Sequence, residues 1–255
     1  MDPSRTKHTA SAGPERVLRT GRGAMLYDAS RIDQPDERLF EREHWRSLGA
    51  LEELPGGRGT VAFVADGDRR WVLRHYRRGG AVATVLGDRY LWTGAARTRS
   101  FAEWRLLRQL ADFGLPVPRA VAARYVRCGP WYRADLFTEE LPSRLTLAQA
   151  LATGPLDAAT WRSVGECVGR LHSRGVRHAD LNAHNLVLGG PATVYVLDFD
   201  RGGIVGRGAW EERVLARLRR SLEKVTRERP AGRFGEDEWR ELKMGVAACA
   251  SSTSC

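Results

Sequence analysis

Between Leu171 and Leu188 the chain reads LHSRGVRHADLNAHNLVL. His178 and Asp180 are separated by one residue, and Asn185 follows five positions after Asp180. Thirteen residues further on comes Asp198-Phe199-Asp200, directly behind the apolar run Val194-Tyr195-Val196-Leu197. A helical pattern over 158–173 leads in, and short β-rich runs at 186–188 and 194–197 flank the turn Gly189-Gly190-Pro191. A helix, a loop and a hairpin account for this pattern. The loop then holds Asp180 and Asn185 on one side, and the hairpin returns Asp198 to face them.

This arrangement resembles the HxDxxxxN catalytic loop and the DFG segment of protein kinases and small-molecule kinases. The spacing has a physical reason. Phosphoryl transfer needs a carboxylate to orient the acceptor hydroxyl and take its proton, and oxygen ligands for the Mg²⁺ that bridges the ATP phosphates. Mg²⁺ keeps several waters, so one Asn and one Asp beside the phosphates suffice. On this reading Asp180 is the catalytic base, Asn185 and Asp198 bind the metal, and His178 braces the loop. The competing reading is three unrelated polar residues in a helix–loop–strand region.

Upstream, Thr60–Ala65 and Trp71–Tyr76 read as a hairpin around Asp66-Gly67-Asp68. Just ahead lies Pro55-Gly56-Gly57-Arg58-Gly59-Thr60. Glycines such as Gly57 and Gly59 let backbone N–H groups approach phosphate oxygens, although a plain glycine-rich turn looks the same. Arg74 stands where a kinase strand carries the Lys that grips phosphates, and Glu103 of the following Arg-rich helix is its natural partner. A guanidinium is always charged and forks well onto phosphate; the alternative is an exposed strand Arg and a solvated helix Glu. Phe101, Trp104, Leu107, Leu110 and Phe113 have helical spacing, ended by Gly114 and Pro116. Strands follow at 121–126 and 132–138. Glu140, in Phe137-Thr138-Glu139-Glu140-Leu141, falls where a kinase lines its adenine pocket, through backbone groups more than side chains.

From Leu145 the pattern turns helical, over 146–152, 158–173, 210–227 and 237–246. A strand-rich half before a helix-rich half gives an α+β chain with two lobes. The expected division is a loose N-terminus over 1–23, an N-lobe over 24–138, a hinge over 139–145, a C-lobe over 146–248 and a tail over 249–255.

The formal net charge is +10, almost all of the cationic residues being Arg. Ten Arg against Asp88 and Glu103 lie between Arg69 and Arg108, which points to an anionic partner: nucleotide, nucleic acid or an acidic membrane surface. The four Cys form no CxxC pair, which fits a reducing compartment. Met1 to Gly13 has no apolar core of a signal peptide, and no apolar run is long enough to span a bilayer.

Several residues depart from the protein-kinase pattern. Asp200 replaces the Gly of DFG, Ala179 replaces the Arg that receives an activation-loop phosphate, and Asn182 stands where a Lys is common. No Ala-Pro-Glu segment follows to organise a peptide site. In more detail, RHYRRGG at 74–80, Asp88-x-Tyr90, Thr98-Arg99-Ser100, GLPVP at 114–118, HADLNAHN at 178–185, DFDRG at 198–202 and Arg217-Leu218-x-Arg220-Ser221-Leu222-x-Lys224 resemble the 3-deoxy-D-manno-octulosonic acid (Kdo) kinases, in the lipopolysaccharide kinase family. The resemblance covers about residues 45–243. It implies a protein-kinase-like bilobal fold and ATP-dependent phosphorylation of the Kdo sugar of Kdo-lipid A at O4. It places the enzyme at the cytoplasmic face of the bacterial inner membrane, as a peripheral protein. Kdo-lipid A carries a carboxylate and phosphates, so Arg77, Arg78, Arg97 and Arg99 are candidate contacts to that headgroup or to anionic lipid. A solvated basic face is the simpler reading of the same arginines. No nucleic acid and no obligate protein partner are expected. The alternatives are a heptose kinase of the lipopolysaccharide core, a protein or antibiotic kinase, and a basic pseudokinase that binds nucleic acid or membrane.

Overall fold

The computed structural model describes residues 13–53, 61–78, 87–190, 192–229 and 231–251. The chain is α+β, as expected, and divides into two compact units: Met1–Asp112 with Ala120–Glu139, and Phe113–Arg119 with Glu140–Cys255.

The first unit is built on an antiparallel sheet. Its strands are β1 (Glu15–Thr20), β2 (Gly23–Asp28), β3 (Leu51–Glu52), β4 (Val61–Asp66), β5 (Arg69–His75), β6 (Tyr90–Leu91), β7 (Ala120–Cys128) and β8 (Trp131–Glu139). The spatial order is β1-β2-β7-β8-β5-β4-β3, with β6 also on β8. Alternation along the strands gives the sheet two working faces. Trp71, Leu73 and Phe137 point to one face and pack with Phe40 and Trp45, the latter on the short helix α1 (Arg42–Ser47). Trp45 meets Trp71 edge-on at 6.3 Å between ring centroids. Arg74 and Leu136, paired across β5 and β8, lie on the opposite face with helix α2 (Arg99–Asp112). There α2 buries Phe101, Trp104, Leu107 and Leu110, and Phe101 packs on Tyr125 at 5.1 Å.

The reading of residues 1–23 as loose is corrected for the described part: 15–20 form β1, paired residue for residue with β2. This edge strand is mostly exposed. Backbone hydrogen bonds hold it rather than an apolar face, so hydrophobic patterning gives no sign of it. Its start is tied down by buried Asp28, which accepts from Gly13 N at 3.0 Å and pairs with Arg108 at 3.3 Å.

The second unit contains α3 (Leu147–Thr153), α4 (Ala158–Ser173), β9 (Val176–Arg177), β10 (Leu186–Gly190), β11 (Thr193–Val196), β12 (Gly203–Ile204), α5 (Trp210–Glu228) and α6 (Glu236–Ser251). Two of the helix starts carry side-chain caps. Thr146 and Gln149 form a reciprocal capping box at α3, and the Asp157 carboxylate accepts from Thr160 N at 2.7 Å at α4. α4 and α6 touch through glycines. A Cβ on Gly165 would fall 1.9 Å from the carbonyl oxygen of Leu242, and one on Gly245 would fall 2.2 Å from that of Arg162. No side chain larger than hydrogen fits there. The residues expected as a tail from 249 begin inside this packing, since α6 runs to Ser251. Residues 113–119, expected with the N-lobe, group with the helical unit, where Pro116 O accepts from Val196 N at 2.9 Å.

Candidate active site

The loop after β9 is held from behind by hydrogen bonds, leaving Asp180 at its front. The His178 ring is buried and both nitrogens are in use: Nδ1 accepts from Asp180 N at 3.1 Å, and Nε2 lies 2.8 Å from Leu197 O. Because Nδ1 accepts, the proton sits on Nε2 and is donated to Leu197. Burial favours this neutral ring by lowering the His178 pKa, against the opposing pull of the Leu197 carbonyl. Phe199, itself buried, packs tilted against the His178 ring, 4.8 Å between centroids. One imidazole thus couples the backbone at Asp180 to the backbone just before Asp198.

Both loop asparagines also point inward. Asn182 Nδ2 and Asn185 Nδ2 donate to the carbonyl of Asp180 at 2.9 and 3.0 Å, and Asn182 Oδ1 accepts from His184 N at 2.9 Å. Leu181 and Ala183 anchor the loop in the core, and Ala183 N donates to Ser221 Oγ of α5 at 3.1 Å. The β10–β11 hairpin then brings the chain back. Leu197 N donates to Asn185 O at 2.8 Å, so Asp198 emerges beside Asn185. Asp198 adopts a left-handed conformation, φ 62°, which short polar residues tolerate best among those with a Cβ. The second left-handed residue is Arg201, φ 59°. Position 200 has no positive φ, so an Asp fits where a kinase DFG has glycine. The side chain of Asp180 is 55% exposed, and its Oδ1 is ion-paired with Arg217 of α5.

In the sheet unit, Arg74 and Glu103 meet. The Glu103 carboxylate is buried and accepts from Arg74 Nη2 and from the Tyr76 hydroxyl at 2.6 Å. Arg74 also donates to Tyr76 Oη at 3.0 Å and lies over the tyrosine ring at 4.6 Å. Burial, followed by the Glu103 charge, pushes the Tyr76 phenol well above its usual pKa, so Tyr76 stays a donor. Next to this cluster, on the other sheet face, His75 is clamped between Asp135 at 2.7 Å and Asp88 at 3.0 Å. The hydrogen bond to Asp135 outweighs burial and raises its pKa.

The other expected residues are dispersed. Glu140 pairs with Arg144. Arg78 and Arg99 converge on the Tyr90 ring, at 4.8 and 4.4 Å, and Arg78 Nε donates to Arg89 O at 2.8 Å. Arg77 and Arg97 are exposed. Gly57 and Gly59 lie outside the described residues. Sequence reasoning did not find Tyr76 as the third member of the Arg74 cluster, nor Arg217 as the partner of Asp180. Tyr76 had a usable signal, since residues two apart on a strand share a face. Arg217 stood out only within the Arg217–Lys224 segment, and nothing local pointed to Asp180, because the contact spans 37 residues.

No helix among the described residues is long and apolar enough to cross a membrane. The sequence matches the lipopolysaccharide kinase (Kdo/WaaP) family over residues 42–245. Among curated proteins, it is 46% identical over 211 residues to a 3-deoxy-D-manno-octulosonic acid kinase of Stenotrophomonas maltophilia, covering 82% of this chain and 84% of that one. Proteins of the same name from Xanthomonas campestris pv. campestris and Xylella fastidiosa are 45% and 44% identical. The alignments cover 80% and 81% of this chain, and 82% and 83% of theirs. With this match spanning both the sheet-borne Arg74–Glu103 pair and the Asp180 loop, the chain belongs to the lipopolysaccharide kinase (Kdo/WaaP) family, ATP-dependent phosphotransferases of protein-kinase-like fold.

Proposed function

We propose that the protein transfers the γ-phosphate of ATP to the O4 hydroxyl of the Kdo sugar in Kdo-lipid A, working as a peripheral protein at the cytoplasmic face of the inner membrane. The observation that carries this reading is the Asp180 loop. It is rigid behind, through His178, Asn182 and Asn185, and open in front at the Asp180 carboxylate. The names of the relatives supply the acceptor class.

Asp180 orients the acceptor hydroxyl and takes its proton as the oxygen attacks phosphorus. The donor set fits Mg²⁺. With Asn185 Nδ2 committed to the Asp180 carbonyl, the oxygen of that amide is the atom left for a ligand, and Asp198 adds a carboxylate; both are the hard donors this ion requires. Asn185 and Asp198 would hold it, and the ion would supply positive charge to offset that of the phosphates. Arg74, aimed by Glu103, forks onto the α/β-phosphates. Gly57 and Gly59 are assigned to the phosphates from the sequence, and the backbone at Glu140 to the adenine. Arg77, Arg78, Arg97 and Arg99 face the anionic headgroup or lipid.

The test is phosphate transfer from Mg-ATP to a lipid A precursor bearing one Kdo, by the wild type and by Asp180→Ala. Transfer that disappears in the variant while ATP still binds supports the reading. ATP binding without transfer in the wild type moves the acceptor to a heptose, and absence of ATP binding refutes the kinase chemistry.

A further inference from the structure

A cavity of about 220 Å³ opens beside Asp180, wholly within the helical unit. Its wall carries Arg177, Arg213 and Arg217, together with Ala179, Trp210 and Val214. The three cations come from two elements. Arg177 ends β9, paired with Gly203 of β12, and Arg213 and Arg217 stand one turn apart on α5, on one face of that helix. Arg217 is ion-paired with Asp180. Among the described residues neither Arg177 nor Arg213 has a carboxylate partner, and no acidic side chain lines the cavity.

Orienting an uncharged hydroxyl and accepting its proton require only Asp180. With Arg217 paired to Asp180, the guanidinium groups of Arg177 and Arg213 are left at one opening without a carboxylate among the described residues, and like charges placed together repel. Such a cluster is relieved by an anion, and a planar carboxylate matches the guanidinium fork. Ala179 contributes only a methyl at the mouth, so the opening is not filled from the loop.

We infer that this pocket is the subsite for the carboxylate of the acceptor sugar acid, held by Arg177 and Arg213 while the reacting hydroxyl meets Asp180. The inference rests on the acceptor proposed above, because an octulosonic acid carries a carboxylate that is ionised at neutral pH. On such a sugar the carboxylate and the reacting hydroxyl lie within one ring of each other, and Arg217 links the two positions on the protein. The pocket then makes the acid group a requirement for phosphorylation, since the carboxylate fixes which hydroxyl reaches Asp180. Proximity of this kind acts on kcat/KM for the acceptor and not on ATP.

The experiment compares two acceptors, the lipid A precursor with one Kdo and the same compound with the Kdo carboxylate converted to its carboxamide. The enzymes are the wild type, Arg213→Gln and Arg177→Gln. Both positions are exposed, and a melting curve for each variant checks that it is folded. The wild type should prefer the acid by about 10- to 100-fold in kcat/KM, as expected for charge-assisted hydrogen bonds. In either variant that preference should shrink to a few-fold, with the KM for ATP unchanged. Arg213→Lys should recover part of it. Equal use of acid and amide by the wild type overturns the inference. So does a preference that survives in both variants, or a loss in the variants that is the same for both acceptors, which would assign the arginines to another anion. Phosphorylation of neither compound by the wild type overturns the acceptor assignment itself, and the inference with it.

Discussion

Replacing Glu103 by Gln tests whether the Arg74 cluster is a working grip or an incidental surface pair. The side chain of Glu103 is 2% exposed and that of Arg74 21% exposed. The substitution keeps the shape and removes the charge. An amide oxygen keeps two lone pairs for Arg74 and Tyr76, which both aim donors at the same oxygen, Oε2, but it is neutral, so the charge-assisted strength of both bonds is lost. Losing a buried ion pair by removing one partner costs about 3–5 kcal/mol. Arg74 can turn partly to water, which reduces the expected loss to about 2–3 kcal/mol. At 2–4 °C per kcal/mol for a chain of this size, the melting midpoint falls by roughly 4–12 °C. The functional signature is separate: an Arg74 no longer aimed should raise the KM for ATP about 10-fold or more, while the KM for the lipid acceptor stays within a factor of two or so. Tyr76→Phe removes one donor and should cost about 1–2 kcal/mol, with little effect on ATP. Combining it with Glu103→Gln should cost less than the two losses added together, because both act on one carboxylate. The measurements are differential scanning calorimetry and initial rates with each substrate varied. A Glu103→Gln enzyme with unchanged midpoint and unchanged KM for ATP would refute the argument.

Three further outcomes are expected. Asp180→Asn keeps the loop's hydrogen bonds, which use backbone atoms of residue 180, and should lower kcat by about 10²–10⁴-fold without altering ATP affinity; single-turnover phosphate transfer measures it. Stability should fall at both pH extremes for different histidines. Burial pulls His172 down to about 4, so its neutral ring contributes stability above pH 6.5 that is lost as the pH falls towards 4, roughly 3 kcal/mol in all. His75 is raised, so its contribution is complete below pH 6.5 and is lost as the pH rises through its folded value. His172→Phe should flatten the acid limb and His75→Gln the alkaline limb of midpoint against pH. Gly165→Ala, whose Cβ would overlap the Leu242 carbonyl, should destabilise the helical unit by about 1–3 kcal/mol, read from urea unfolding.

Much of this was legible because its signals are local. The alternation Trp71, Leu73 against Val72, Arg74 identifies β5 and the face that Arg74 takes. The helical spacing of Phe101, Trp104 and Leu107 gives α2. Within the HADLNAHN loop His178, Asn182 and Asn185 all bond to the backbone of Asp180, so part of its shape is local, although Leu197 and Ser221 hold it from outside. What was missed depends on distant partners. β1 is recognisable only through its ladder with β2. β9 and β12 are two residues each and find each other across the whole catalytic loop. The Arg217–Asp180 pair and the arginine pocket exist only once α5 has packed against that loop. The glycine at 165 was visible as a letter, but its reason lies in the Leu242 carbonyl of another helix.

That last contact has a consequence for how the protein is made. α4 precedes the catalytic loop, whereas the helix that closes over its glycine face, α6, comes after the loop and after α5. During synthesis the ribosome releases Asp180, Asn185 and Asp198 while α4 still presents a bare strip of backbone to water. The helical unit therefore completes its core only when residues around Leu242 and Gly245 have emerged. A chain stalled shortly after Asp198 would carry every residue proposed for phosphotransfer on an unfinished scaffold, open to chaperones and proteases. The core of the helical unit is in this way completed by its last helix.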